Sequence, residues 1–172
     1  MSHVKIRPAT QRDVAAIAAV HVQTWREAYQ DLLPQADLDK LSVEKRKDQW
    51  REAVEFNDPQ VQVAIDGDRL VGFVGFDRSR DPKSRPTTGE IWAIYVLPGD
   101  WDTGVGLALW DAARDGLVEE GCTEVTLWVM LRNERALRFF ELAGFKRELN
   151  TARTTPAGSI KVEEIRLKRS LI

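Results

Sequence analysis

The chain of 172 residues holds one cysteine, Cys122, and two histidines, His3 and His21. A lone thiol cannot close an intramolecular disulfide, and one Cys with two His falls short of the multi-cysteine ligand sets of structural zinc. No run approaches the ~18 uninterrupted apolar residues that a spanning helix requires. The opening Met1-Ser2-His3-Val4-Lys5-Ile6-Arg7 lacks the apolar stretch and small-residue cleavage site of a secretory signal. A cytoplasmic address, with no membrane partner and no metal, is the expectation. An excess of one charge is missing too: 25 Lys and Arg against 27 Asp and Glu leave a formal net charge of −2. Nucleic acid, which demands a basic face, is therefore not an expected partner.

What is present is the balance of an ordinary globular chain, 43% hydrophobic and 30% charged. A chain of this length can bury a core without disulfides or metals, and with no internal repeat or linker it reads as one domain over residues 1–172.

Residues 4–7 read as a short strand ended by Pro8, and Thr10-Gln11-Arg12-Asp13 has the form of a capping box that opens a helix. Along that helix Val14, Ile17, Ala18, His21, Val22, Trp25, Ala28 and Tyr29 recur at three- and four-residue steps, with Pro34 expected to close the segment. Ser42 caps a second helix running to about Phe56, with Val43, Trp50 and Val54 on its apolar stripe. Residues 61–65 and 70–76 are strands joined by the hairpin signal Asp66-Gly67-Asp68-Arg69. Residues 78–88 read as an exposed loop whose cations, Arg78, Arg80, Lys83 and Arg85, are solvated. Then follow a strand at 90–97, a helix at 104–120, a strand at 123–129 and a helix at 133–142 ended by Gly144. Strands around 145–149 and 160–167 flank a Thr/Pro/Gly loop and complete a mixed sheet.

The junction Pro98-Gly99-Asp100-Trp101-Asp102-Thr103-Gly104-Val105-Gly106-Leu107-Ala108 carries a strand directly into a helix. A first helical turn offers amides without intrahelical acceptors and the positive end of the dipole, so it can hold a pyrophosphate without a cationic side chain. Glycines let the phosphate approach. A dinucleotide-binding turn would need a third glycine, but position 109 is Leu109, and the motif arrives after three antiparallel-type strands, which argues against NAD.

These residues resemble the GNAT acetyltransferase family, whose cofactor turn reads Gln/Arg-x-x-Gly-x-Gly/Ala; here Trp101 stands at the first position and Gly104 and Gly106 at the glycines. A second stretch, from Asn133 through Ala136 and Phe140 to Gly144-Phe145, is similar to the family pattern Asn-x-x-Ala-x-x-Phe-Tyr-x-x-x-Gly-Phe. The Ile6-Arg7-Pro8-Ala9 opening and the stretch from His21 to Pro34 resemble a bacterial branch, so the likeness covers nearly the whole chain. It implies an α/β (α+β) GNAT fold: a mixed, mostly antiparallel, splayed seven-stranded sheet flanked by about four helices. It also implies acetyl-CoA as cofactor and direct acetyl transfer, in a ternary complex, to a primary amine of a small molecule or peptide. Homodimers are common in the family. Tyr95 and Val96 would pair with the pantetheine arm, the amides of Thr103, Gly104, Val105, Gly106 and Leu107 would hold the pyrophosphate, and Asn133 would bond the arm. Asp102 and Thr103 replace a frequent glycine and a frequent basic residue, making the turn less cationic; an acid there weakens CoA binding unless it faces solvent, and the Thr103 hydroxyl could donate to a phosphate oxygen.

An alkylamine of pKa about 10 is protonated at neutral pH and must lose a proton before it attacks a thioester. Glu90 matches an acidic position that serves as base in some members; the alternative is a strand-edge carboxylate in solvent. Phe140 stands where the family has a tyrosine acid, so Tyr95, water or nothing protonates the leaving thiolate. Trp25 and Tyr29, four apart on the first helix, are candidates for acceptor contact or for core packing, and His21 for acceptor contact or for a satisfied buried histidine. Trp92 is the best placed of Trp92, Trp110 and Trp128 to line the site, and Cys122 reads as an apolar filler. Two other readings remain: a catalytically weak acyl-CoA-binding sensor, and a protein lysine or N-terminal acetyltransferase.

Overall fold

The computed structural model describes residues 4–157 and 159–172; Met1, Ser2 and His3 of the opening and Gly158 of the Thr/Pro/Gly segment lie outside the described residues. The elements run β1 (Lys5–Pro8), α1 (Val14–Tyr29), α2 (Gln35–Asp39), α3 (Val43–Phe56), β2 (Gln60–Asp66), β3 (Arg69–Arg78), β4 (Thr88–Val96), α4 (Val105–Glu119), β5 (Glu124–Met130), α5 (Glu134–Leu142), β6 (Lys146–Ala157) and β7 (Ile160–Ser170). Short 3₁₀ turns at Gln11–Asp13 and Pro98–Asp100 precede α1 and α4. The strands form a seven-stranded sheet in the order β1-β2-β3-β4-β5-β7-β6, antiparallel throughout except at β4–β5. Among the described residues no helix is long and apolar enough to cross a membrane.

Local chemistry accounts for the element ends. The Thr10 N–H donates to Asp13 at 2.8 Å, and Arg7 reaches both oxygens of Asp13, at 2.8 and 3.0 Å, tying β1 to the start of α1. Ser42 caps α3 by accepting from the Lys45 N–H at 3.3 Å. Gly67 takes φ +66° at the β2–β3 turn, where a side chain would be strained.

Two expectations need correction. Pro34 does not simply end a segment: it opens a fifth helix, α2, whose Asp37 accepts from the Ser159 N–H and hydroxyl at 3.1 and 2.6 Å. The Thr/Pro/Gly segment as far as Ala157 is strand rather than a loop between two short strands. It belongs to a long β6–β7 hairpin that pairs Arg153 with Glu164 and continues to Ala157↔Ile160, with a register shift between Glu148 and Arg153.

Each face of the sheet carries a core. On one, Leu109, Trp110, Ala113 and Leu117 of α4 and Leu137 and Phe140 of α5 pack on Val74, Phe76, Val125 and Leu127. The fit is close: a Cβ on Gly116 would stand 2.6 Å from the Phe76 ring. On the other, Ile17 and Val20 of α1 and Trp50 and Ala53 of α3 cover Val61, Val63 and Phe73. The far end of α1 reaches a third cluster in which Tyr29, Leu33 and Leu38 pack with Met130 of β5. α1 thus crosses from β3 and β4 to β5, roofing the place where the sheet divides.

Candidate functional site

β4 and β5 pair only at Thr88↔Glu124, Gly89↔Val125 and Glu90↔Thr126. Past Glu90 they separate: β4 stays with β3 as far as Val96, and β5 with β7 as far as Met130. A bulge marks the separation, since Ile91 faces Phe76 and Ala93 faces Gly75, leaving Trp92 as the extra residue. The Leu97 N–H donates to Val71 at 2.8 Å, toward β3. Successive strand residues turn their amides to opposite edges, so Ile94 and Val96 present theirs to the gap, whereas Tyr95, expected to pair there, turns its own toward β3 as Leu97 does. An extended ligand with amides of its own could pair there as a strand does.

At the end of β4 the chain turns into α4. Gly104, the N-cap, has φ +91°, a conformation that favours glycine. Ala108 donates the first bond back into the helix, to Gly104 at 3.0 Å, so the amides of Val105, Gly106 and Leu107 are the helix-end donors. With the helix dipole they suit an anion. A Cβ on Gly106 would stand 3.3 Å from the Phe139 ring, so this glycine seats α4 against α5. The Thr103 hydroxyl donates to the Asp100 carbonyl, which leaves its backbone N–H as the group available to an anion. The Asp102 side chain is 86% exposed and pairs with Arg135 at 3.0 Å, so its charge faces solvent. Trp101 is held from two sides: its Nε1–H donates to the Val96 carbonyl at 2.8 Å, and Arg135 lies 4.1 Å over its ring.

The roof of the gap is aromatic. Trp25 Nε1–H donates to Tyr95 Oη at 2.9 Å, and Trp25 packs on Tyr29 with ring centroids 4.6 Å apart. Asn133 caps α5, accepting from the Ala136 N–H at 3.2 Å, while its Nδ2 donates to Tyr29 Oη at 3.4 Å. Burial, and then the neighbouring Tyr29, hold the Tyr95 phenol pKa above its ordinary value. Burial raises that of Tyr29 as well. Both phenols keep their protons at neutral pH. His21 stacks on Tyr95 with centroids 4.9 Å apart and accepts the Trp50 Nε1–H on Nδ1 at 3.0 Å. Burial, and to a lesser extent Arg46, push its pKa down to about 3, so the imidazole is neutral and satisfied.

Glu90 is not the solvated carboxylate that was its alternative reading. It is 2% exposed, with Oε1 accepting the Arg80 backbone N–H at 2.9 Å and Oε2 the Arg80 Nη2–H at 2.8 Å. The Arg80 guanidinium lies 4.1 Å over the Trp92 ring. Next in the chain, Asp81 accepts the Trp128 Nε1–H at 3.0 Å and an Arg166 donor at 3.3 Å. Loop 79–87 therefore touches β4 through Arg80 and β5 and β7 through Asp81. Beside it lies a cavity of about 500 Å³ with Trp50, Arg80, Trp92, Ala93 and Tyr95 in its wall and Glu52 and Asp58 also contributing.

The structure thus groups Trp25, Tyr29, Tyr95 and Asn133 on one side of the gap, Glu90 and Trp92 at its vertex, and residues 103–107 at the turn beyond Val96. Arg80, expected among the solvated cations of its loop, is instead fastened to Glu90 and stacked on Trp92, in a loop rich in cations where no periodicity singles one out; Asp81, Arg135 and the His21–Trp50 bond are not marked in the sequence. Phe140 and Cys122 are buried core residues, as read. Trp110 is buried too, whereas Trp128, read as packing, is half-buried beneath Arg153 at 3.5 Å.

The model of the Acetyltransferase (GNAT) family matches residues 18–145. The Bacillus subtilis protein named Uncharacterized N-acetyltransferase YuaI is 31% identical over 131 residues, covering 76% of this chain and 73% of that protein. The crystal structure of paiA N-acetyltransferase from Thermoplasma acidophilum in complex with coenzyme A superposes with a TM-score of 0.78 at 19% identity, covering 99% of both chains. That of yncA from Salmonella typhimurium with its cofactor acetyl-CoA gives 0.75 at 19% identity, over 99% of this chain and 95% of the other.

Proposed function

Because the chain belongs to the acetyltransferase (GNAT) family, we propose that it is an acetyl-CoA-dependent N-acetyltransferase acting on a primary amine of a small molecule or peptide, by direct attack in a ternary complex. The observation that carries this reading is the parting of β4 and β5 after three residue pairs, with the N-terminus of α4 lying beyond the end of β4.

The donors present fit coenzyme A. Amides of residues 103–107 suit its diphosphate, and the gap-side edge of β4 at Ile94 and Val96 suits the amides of its pantetheine arm. When bound, acetyl-CoA supplies an activated acyl group, whose C–S bond breaks as the acceptor nitrogen bonds to the acetyl carbon.

The chain's own residues handle protons and position. Tyr95 receives a hydrogen bond from Trp25, keeps its own proton at neutral pH, and is the proposed donor to the departing sulfur. Glu90, at the vertex, is the proposed acceptor of the proton that the amine gives up; each oxygen retains a lone pair beyond the one that Arg80 engages. Asn133 orients Tyr29 while capping α5, and Trp25, Tyr29 and Trp92 wall the acceptor side.

Calorimetry with coenzyme A, followed by thiol release from acetyl-CoA over a panel of amines, tests the proposal. Saturable binding and turnover on at least one amine are expected. Absence of coenzyme binding by folded protein removes the reading, and binding without turnover on any amine favours an acyl-CoA sensor.

A further inference from the structure

The way Arg80 meets Glu90 differs from simple neutralisation of a buried charge. A guanidinium serving only that end would face the carboxylate with two N–H groups side by side, one to each oxygen. Here a single guanidinium N–H, from Nη2, reaches Oε2, and the second oxygen is satisfied by the backbone N–H of Arg80. Nη1 and Nε have no acceptor among the described residues, and the Arg80 side chain is 53% exposed at the cavity wall. Trp92 beneath it and Glu90 behind it restrict its rotamer before any ligand arrives, which lowers the entropic cost of binding one. With His21 neutral, the charged side chains lining the cavity among the described residues are Arg80, Glu52 and Asp58, so Arg80 is the group there that can hold an anion.

We propose that Arg80 is a carboxylate-binding residue of the acceptor site, and that the acceptor is an amine that also bears a carboxylate. This rests on the acetyl-transfer reading for the word acceptor, and on the geometry alone for the anion site. Glu90 is the last β4 residue paired with β5, so an acid held by Arg80 lies at the vertex where the strands part. Arg80 selects the ligand by planar, forked hydrogen bonding, which a lysine ammonium cannot reproduce.

The test is calorimetry on the full chain saturated with coenzyme A, using α- and ω-amino acids, the amide of each, and linear diamines as ligands, on wild type, Arg80→Lys and Arg80→Gln. Arg80→Lys keeps a cation beside the buried Glu90, so a folded variant is available even if Arg80→Gln unfolds. The wild type is expected to favour at least one amino acid over its amide by about 30-fold, the scale set by truncating a hydrogen-bonded charge pair. Arg80→Lys is expected to reduce that ratio about tenfold. No acid preference in the wild type, equal weakening of acid and amide in the variants, or a preference for diamines that Glu52→Gln and Asp58→Asn abolish would each overturn the proposal. Failure of coenzyme A to bind would remove the acetyl-transfer reading, whereas the acid-to-amide ratio, measurable without coenzyme, still decides the anion site.

Discussion

The indole of Trp25 donates to the phenol oxygen of Tyr95 at 2.9 Å, joining the roof helix α1 to the gap strand β4 across 70 positions of sequence. With the indole as donor, the phenol must act as acceptor in that bond, and its own hydrogen is free to point elsewhere. Tyr95→Phe is therefore expected to lower kcat by about 100-fold or more, the scale of general acid catalysis, while the Kd for coenzyme A moves less than threefold. Stopped thiol-release assays beside calorimetry separate the two, and an unchanged kcat would remove Tyr95 from the chemistry.

A stability profile against pH should expose His21. Its folded pKa is about 3 against an ordinary 6.5, so between those values the unfolded chain binds the extra proton. The contribution is present in full above pH 6.5 and declines as pH falls toward 3. By linkage the loss between pH 7 and pH 5 is about 2 kcal/mol. Urea melts at pH 7, 6 and 5 should show that slope, and His21→Gln, which keeps an acceptor for Trp50, should flatten it. An equal slope in both proteins would sink the assignment.

Asp102 places a carboxylate beside the α4 turn, directed to solvent and to Arg135. Asp102→Asn removes a negative charge near the diphosphate and releases Arg135. Coenzyme A is expected to bind about threefold more tightly at low salt, with the gain fading at 0.5 M salt as the Debye length contracts. Stability should move by less than about 1 kcal/mol, because the pair is exposed.

Gly104 at φ +91° cannot take a side chain without strain. Gly104→Ala should destabilise the fold by about 1–2 kcal/mol, a fall in Tm of roughly 2–8 °C for a chain of this size. It should also weaken coenzyme A binding more than tenfold, because the amides of the turn are displaced. A normal Kd in the folded variant would dissociate the turn from the cofactor.

Much of this was legible because it rests on local rules. The Gly67 turn, the Ser42 cap and the Gly104 entry to α4 depend on residues within a few positions of one another, and each appears where the pattern puts it. The length of β6 is hidden in the sequence because it is an edge strand: of Lys146–Ala157 none is fully buried, so no alternation of apolar and polar residues marks its extent. α2 is a single turn and a half, too short for helical periodicity to register. The Arg80–Glu90 pair and the Trp128–Asp81 bond join residues 10 and 47 positions apart, and neither partner's immediate neighbours announce the other. What a sequence pattern records is the face a residue shows to its own element, and these contacts arise between elements.

Arg80 and Asp81 are consecutive residues that grip opposite arms of a fork, one fastened to β4 and the other to β5 and β7. A single peptide link therefore rivets the crotch. Any flexing that admits a bulkier guest must then work as tweezers do, with the tips near Val96 and Met130 swinging while the joined end stays put.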